Sequence, residues 1–319
     1  MTRDNLERHQ VWLYLAAILA GLALGALAPG LAPALELLLW PSLAALLYTT
    51  FTQVPLARLP VAFRDMRFMA AVVVGNFVVL PLLVWGVLAL VPDDPAVRLG
   101  VLLVLLVPCT DWFITFTHQA GGDTHRAIAI APAMLVLQIV LLPAYLWLFM
   151  GDGFGEIVAG GPMAEVFALL IAAPLALAWL TERWAGRALG RAAKVARLGW
   201  LPVPLLALVV FLIAASQGEA LAHSLPLIDE VLVAFLLFLL GATVCGIVLG
   251  RLFRLPVAQA RTLLFSVTTR NSFVVLPFAL ALPPAWGAAA IVIVFQSLVE
   301  LLGMLALLWL VPRRLVPMR

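Results

Sequence analysis

The chain has 319 residues, of which 65% are hydrophobic and only 11% are charged. A water-soluble domain of this length carries far more charge on its surface, so the composition excludes that class and indicates a polytopic membrane protein. The formal net charge of +3 does not indicate nucleic-acid binding, because the basic residues fall in short loops between apolar runs.

The apolar runs predict an all-α protein with ten transmembrane helices. Crossing about 30 Å of hydrocarbon takes about 20 helical residues, and connections rich in proline and glycine separate the runs. In chain order, the predicted spans are 11–28, 32–51, 68–91, 97–119, 126–150, 163–181, 200–216, 227–250, 258–282 and 285–311. The first span resembles a signal peptide, but no hydrophilic domain follows it, so we expect a retained helix.

The basic residues support this topology. With both termini in the cytoplasm, 17 of the 19 lysines and arginines fall on the cytoplasmic side, Arg98 falls outside and Arg270 remains within the membrane. Such an asymmetry is typical of the positive-inside rule. The sequence therefore predicts a multi-pass protein of a bacterial inner membrane with both termini in the cytoplasm.

Ten helices divide into two repeats of five, about 11–150 and about 163–311, within a single transporter domain of residues 1–319. An odd number of helices per repeat inverts the second repeat relative to the first. The fourth helix reads "PCTDWFITF" (Pro108–Phe116) and the ninth reads "VTTRNSFVV" (Val267–Val275). Interrupted helices at matching places in inverted repeats indicate a transport site near the middle of the bilayer.

Short polar residues accompany both interruptions. Pro108 lacks a backbone donor and prevents the fourth helix from continuing unbroken. Backbone groups freed at membrane depth need protein or water partners. We expect hydroxyl and amide side chains at the breaks to supply them, among them Thr110, Thr269, Asn271 and Ser272.

Away from the ends of the predicted spans, three charged residues are candidates for positions inside the membrane: Asp111, Arg270 and Glu300. A charged Asp or Arg costs roughly 2.5–3.5 kcal/mol at the bilayer centre, so Asp111 and Arg270, at similar places in their repeats, are expected to face each other. They form either a static ion pair or a switch that responds to the bound solute, or else Asp111 is a proton carrier. Glu300 lies one turn from Gln296 on the same helical face, and it is either a coupling group or a buried, protonated acid.

The two cysteines are given different interpretations. Cys109 is either a small residue that lets helices approach or a soft ligand for a thiophilic element. Cys245 has no polar neighbours in sequence and is interpreted as packing. We expect no cofactor, because the chain has no glycine-rich phosphate loop, and no metal site.

Two further patterns concern packing and lipid. "GLALG" (Gly21–Gly25) permits close approach of two helices. The stretch Glu182–Arg197 is predicted to be one amphipathic helix whose basic residues share a face, which suits a cytoplasmic connector lying against anionic lipid.

Taken together, these motifs resemble the bile acid:sodium symporter superfamily and, within it, the arsenite efflux permeases, over essentially the whole chain. The resemblance rests on the inverted repeats and on three motifs: "PCT" (Pro108–Thr110), "NFVVLP" (Asn76–Pro81) and "LVELLG" (Leu298–Gly303). It implies that helices four and nine cross at their breaks, between a core and a panel domain. It also implies that Cys109 is the arsenite ligand.

The resemblance also has departures. Sodium-coupled relatives carry a ninth helix similar to "EVGMQNSG", whereas this chain reads "SVTTRNSF", with Ser266 at the carboxylate position and Arg270 at the glutamine position. Typical arsenite permeases keep a ninth-helix glutamate that is absent here. The resemblance implies that the sodium ligands are lost and that a fixed guanidinium replaces a bound cation. The other positions that have lost sodium ligands are Phe113, Ile114, Ala127 and Ala131.

The sequence thus predicts a secondary transporter that exports arsenite or a related metalloid oxyacid, coupled to protons rather than sodium. The expected substrate-binding residues are Cys109, Thr110, Asn76, Asn271 and Arg270, and the expected coupling residues are Asp111, Arg270 and Glu300. One alternative is a carrier of organic anions in which Arg270 binds a carboxylate. A membrane enzyme or sensor is a weaker alternative, because no nucleophile–base pair is apparent. The expected partners are a small anionic solute, protons and membrane lipid.

Overall fold

The computed structural model describes residues 3–54, 65–110, 112–151, 169, 172–216 and 218–317. Every regular element in this part of the chain is a helix. The first seven are α1 (Arg3–Leu27), α2 (Ala32–Phe51), α3 (Met66–Val74), α4 (Leu80–Leu88), α5 (Pro95–Leu105), α6 (Trp112–Gln119) and α7 (Thr124–Met150). The others are α8 (Ala173–Ala185), α9 (Leu189–Leu198), α10 (Pro202–Ser216), α11 (Gly218–Leu252), α12 (Val257–Thr268), α13 (Ser272–Leu280) and α14 (Ala288–Leu310).

Several of these helices can cross a bilayer. Within the described residues, six helical stretches are long and apolar enough: Pro29–Phe51, Met66–Leu88, Thr124–Met150, Gly190–Ser216, Val231–Leu252 and Ala288–Leu315. The chain is therefore a helical, multi-pass membrane protein. The count of ten spans and the inverted repeat stay predictions.

The chain divides into two compact units. Unit one comprises Met1–Gln53 and Pro162–Pro226. Within it, α1 packs closely on α10, because a Cβ atom on Gly21 would lie 2.4 Å from the carbonyl oxygen of Phe211. A Cβ atom on Gly25 would lie 2.6 Å from the carbonyl oxygen of Ala215. The close packing predicted for "GLALG" is confirmed, since only glycine lets the two backbones approach this far.

Unit two comprises Val54–Gly161 and Leu227–Arg319 and contains both interrupted helices. In it, α3 and α4 are joined by a π-helical turn, Gly75–Val79, which places Asn76 in the interior. Helix α5 packs against α14, where a Cβ atom on Gly100 would lie 2.8 Å from the carbonyl oxygen of Ala289. This packing brings the last long helix next to the break that follows α5.

The stretch Glu182–Arg197 does not form the single helix that the sequence predicts. Helix α8 ends at Ala185, Gly186 caps it, and Ala188 is extended before α9 begins. Glycine is a poor helix former, so the chain turns here instead of continuing. The basic residues are consequently divided between α8, the turn that contains Arg187 and α9, all in unit one.

Candidate transport site in unit two

The two interruptions contact each other through their backbones. The chain is non-helical at residues 106–110, after α5, and again between α12 and α13, and Pro108 and Arg270 form an antiparallel bridge. Two hydrogen bonds flank the bridge, from Cys109 N–H to Thr269 O (3.2 Å) and from Asn271 N–H to Val107 O (2.8 Å). Backbone groups freed by the breaks therefore satisfy each other at membrane depth, where no lipid group can.

Side chains at the breaks reinforce this pairing. Asn271 caps α13, since its side-chain oxygen accepts from Val274 N–H at 3.4 Å, and its amide donates to Thr110 Oγ1 at 3.3 Å. The hydroxyl of Thr269 donates back to the carbonyl of Phe265 at 2.7 Å. The sequence predicted that hydroxyls would satisfy the freed backbone groups, whereas here most of that role falls to the opposite break.

Arg270 is the charged centre of the crossing and is 2% exposed. Its guanidinium donates to four neutral oxygens of the described chain: Leu105 O (3.3 Å), Asn76 Oδ1 (2.8 Å), Ser266 O (3.1 Å) and Val267 O (2.9 Å). The ring of Phe238 lies 5.6 Å from its central carbon, and its Nε has no hydrogen-bond partner among the described residues. Carbonyl dipoles and an aromatic face thus stabilise the buried charge.

Asn76 links the π-helical turn to this centre. While its oxygen accepts from Arg270, its amide nitrogen donates to Ser266 Oγ and to Val72 O, both at 3.1 Å. The side chain is fully buried. Both ends of the Asn76 amide are therefore occupied by protein groups, among them the hydroxyl of Ser266.

Glu300 contacts the break between α12 and α13 directly. Its Oε2 accepts from the backbone N–H of Arg270 at 2.9 Å and from Gln296 Nε2 at 2.8 Å. The other end of the Gln296 amide accepts from the hydroxyl of Ser272 at 3.0 Å. The shared face of Gln296 and Glu300 is confirmed, and a buried polar chain connects α14 to the start of α13.

The other predicted site residues fall into three groups. Cys109 lies in the crossing and is 2% exposed, whereas Cys245 lies on α11 and is partly buried. Asp111 lies outside the described residues, so its pairing with Arg270 stays a prediction. Of the positions where sodium ligands are expected to be lost, Phe113, Ala127 and Ala131 are fully buried and Ile114 is partly buried.

A large cleft in unit two was not predicted from the sequence. It has a volume of about 1220 Å³, and its lining is mostly apolar and aromatic, including Phe77, Trp85, Tyr145 and Trp286. The hydroxyl of Tyr145 donates to the carbonyl of Phe77 at 2.5 Å. Arg98, paired with Asp93 at 2.9 Å, supplies the charged part of the lining. Phe77 follows Asn76 directly, so the cleft borders the turn that carries the site amide.

The fold and the paired breaks define a multi-pass membrane protein whose interior holds a buried polar site. The sequence profile of the Sodium Bile acid symporter family matches residues 40–224, more than half of the chain. The chain belongs to this family, whose members are transporters of small solutes, and the predicted superfamily is confirmed. A search of curated proteins found no match.

Proposed function

We propose that this protein exports arsenite or a related metalloid oxyacid and is driven by protons rather than sodium. The observation that carries the proposal is the hydrogen bond from Cys109 N–H to Thr269 O, which holds the thiol in the crossing of the two breaks. A thiolate is a soft ligand that favours thiophilic elements over hard cations. A single thiolate binds weakly, which suits a carrier that has to release its cargo.

Independence from sodium is supported by the surroundings of Arg270. Oxygens of Asn76, Ser266 and Val267 point at its guanidinium, and such oxygens are the ligands that hard cations take. In this chain the cation among these oxygens is the guanidinium of Arg270, which is part of the protein. A fixed positive charge in the oxygen cage removes the need for a bound ion to hold the two breaks together.

Proton coupling is assigned to Glu300 and Asp111. The Glu300 carboxylate accepts from the backbone of Arg270, so protonation at that oxygen weakens one contact that orders the break. A change of order at the break is the kind of two-state element that alternating access needs. Asp111 is proposed to lose its proton in one orientation of the carrier and to regain it in the other.

The arsenite proposal is tested by flux into everted membrane vesicles, with the protein in the inner membrane of a bacterium and both termini cytoplasmic. We expect Cys109→Ser to lower arsenite uptake at least tenfold, because a hydroxyl is a poor ligand for a thiophilic element. Cys245→Ser is the matched control and keeps the wild-type rate. Equal rates for Cys109→Ser and wild type would overturn the proposal.

Coupling is tested in the same vesicles. Uptake is expected to collapse when the pH gradient is dissipated and to remain unchanged when potassium replaces all sodium. If Asp111→Asn still transports against a gradient and remains proton-coupled, the role of Asp111 is wrong.

The cleft favours one alternative cargo, an amphipathic organic anion. Arsenite would fill only a small part of about 1220 Å³, whereas the aromatic lining suits a bulky apolar body. Four of the hydrogen bonds of Arg270 already go to protein oxygens, so Arg98 is the better partner for the carboxylate. Under this alternative, Cys109→Ser spares transport of a labelled bile acid and Trp85→Ala reduces it.

A further inference from the structure

Helices α8 and α9 of unit one border a second cleft, of about 510 Å³. One part of its lining is apolar and includes Leu177, Leu180 and Leu198. The remainder is polar or amphipathic and includes Trp184 and Lys194, the only lysine of the chain. The hydroxyls of Tyr48 and Thr181 also line it and are hydrogen bonded to each other at 2.9 Å. The cleft therefore combines a hydrocarbon-like wall with one cationic group.

The surroundings of this cleft are strongly basic. Residues 182–197 contain one acid, Glu182, and five basic residues: Arg183, Arg187, Arg191, Lys194 and Arg197. The guanidinium of Arg191 stacks over the ring of Trp184 at 5.0 Å, and that of Arg183 over Trp179 at 5.4 Å. These stacked arginines hold their charge beside aromatic rings.

Exposed tryptophans indicate where this segment sits. Trp179, Trp184 and Trp200 are each between 41% and 44% exposed within 22 residues of chain. Tryptophan concentrates at the level of lipid headgroups, where its ring is half apolar and half hydrated. A short basic helix next to such rings is typical of a segment lying in the membrane interface.

We propose that this cleft binds one anionic phospholipid. Its phosphate contacts the ammonium group of Lys194, and one acyl chain lies along Leu177, Leu180 and Leu198. Charge complementarity favours an anionic headgroup over a zwitterionic one, and the apolar wall favours a lipid over a free anion. The stacked Arg191 adds to the positive potential at the mouth of the cleft.

Native mass spectrometry of the full-length protein in mild detergent tests this inference. Phosphatidylglycerol is titrated as the probe, with phosphatidylcholine and inorganic phosphate as separate arms. We expect one phosphatidylglycerol to bind tightly and Lys194→Gln to weaken it about fivefold, the factor that corresponds to about 1 kcal/mol per basic residue at an anionic surface. Arg313→Gln is the matched control, because Arg313 also stacks on a tryptophan, Trp309 at 5.2 Å, but lies in unit two.

A second variant separates the apolar wall from the charge. Leu180→Asn is expected to weaken phosphatidylglycerol severalfold while the thermal unfolding of the purified protein stays close to wild type. Equal binding of phosphatidylcholine, or equal loss in Arg313→Gln, would overturn the inference. Inorganic phosphate that competes at similar concentrations would identify a free-anion site and would also overturn it.

Discussion

Two arginines of unit two are held in opposite ways. Arg270, at the crossed breaks, is buried and donates to an amide oxygen and three backbone carbonyls. Arg126, in the first turn of α7, is 41% exposed and lies between two carboxylates. Its Nε donates to Asp65 Oδ2 at 2.7 Å, and its Nη1 donates to Asp123 Oδ2 at 2.5 Å.

The contrast shows how the solvent around a charge decides its role. Near water, carboxylates can accompany Arg126 at little desolvation cost. Arg126, Asp65 and Asp123 therefore form an ion-pair cluster between the starts of α3 and α7. In the interior, neutral oxygens fixed by helix ends hold Arg270 from several sides, so its charge becomes part of the scaffold. Removing Arg270 is therefore expected to destabilise the fold much more than removing Arg126.

Replacing each arginine by methionine is the strongest test of this contrast. Arg270→Met leaves several buried acceptors without a donor, at about 1–3 kcal/mol for each one not rescued by water, so we expect a loss of at least about 3 kcal/mol in the free energy of unfolding. Arg126→Met is expected to lose about 0–1 kcal/mol, because exposed ion pairs contribute little. Denaturation followed by tryptophan fluorescence in detergent measures both.

The order of these two losses is the decisive result. If Arg126→Met is the more damaging change, the interpretation of Arg270 as scaffold is wrong. Transport supplies a second readout, since Arg270→Met is expected to lose it and Arg126→Met to retain most of it.

Hydropathy predicted where most helices lie, because burial in lipid demands long apolar runs. It failed at Glu182–Arg197, where Gly186 ends a helix within a polar stretch that hydropathy does not resolve. It also did not predict the π-helical turn at Asn76, because the stretch Met66–Leu88 is apolar on nearly all sides and a change of helical register leaves no mark in its hydropathy.

Sequence reasoning identified both breaks, since proline and clustered polar residues stand out in apolar helices. It did not identify the partners of Arg270, because three of them are backbone carbonyls and every residue type carries one. The contact of Glu300 with the backbone of Arg270 was missed for the same reason. Side-chain spacing indicates which residues share a face, but not which main-chain groups they reach.

Glu300 gives the next test, of smaller expected effect. Glu300→Gln retains an oxygen that can accept from Arg270 N–H, so the fold is expected to stay within about 1 kcal/mol of wild type while proton coupling is lost. Glu300→Leu removes the acceptor and leaves a buried donor, at about 1–3 kcal/mol. Unfolding measurements and flux assays on both variants separate the structural effect from the coupling effect.

The pH dependence of the stabilisation from the ion-pair cluster at Arg126 is the smallest expected effect. Burial alone would raise the pKa of Asp65, but the hydrogen bond from Phe68 N–H and the hydrogen bond and charge of Arg126 outweigh it and lower the pKa below 3.8, its ordinary value. A lowered pKa means that the folded state favours the ionised acid. The stabilisation is therefore present above pH 3.8 and is lost as the pH falls through the lowered value.

Asp65→Asn tests this sign, because the amide oxygen can still accept from Phe68 N–H, whereas the ionisable oxygen that accepts from Arg126 is lost. We expect the variant to unfold slightly more easily than wild type at pH 7 and the difference to disappear towards pH 3. Asp93→Asn is the control, since Asp93 is 91% exposed in its ion pair with Arg98. A difference in stability between Asp65→Asn and wild type that grows as the pH falls would mean that Asp65 is not stabilised in its ionised form. The ion-pair cluster at Arg126 would then depend on hydrogen bonds more than on charge.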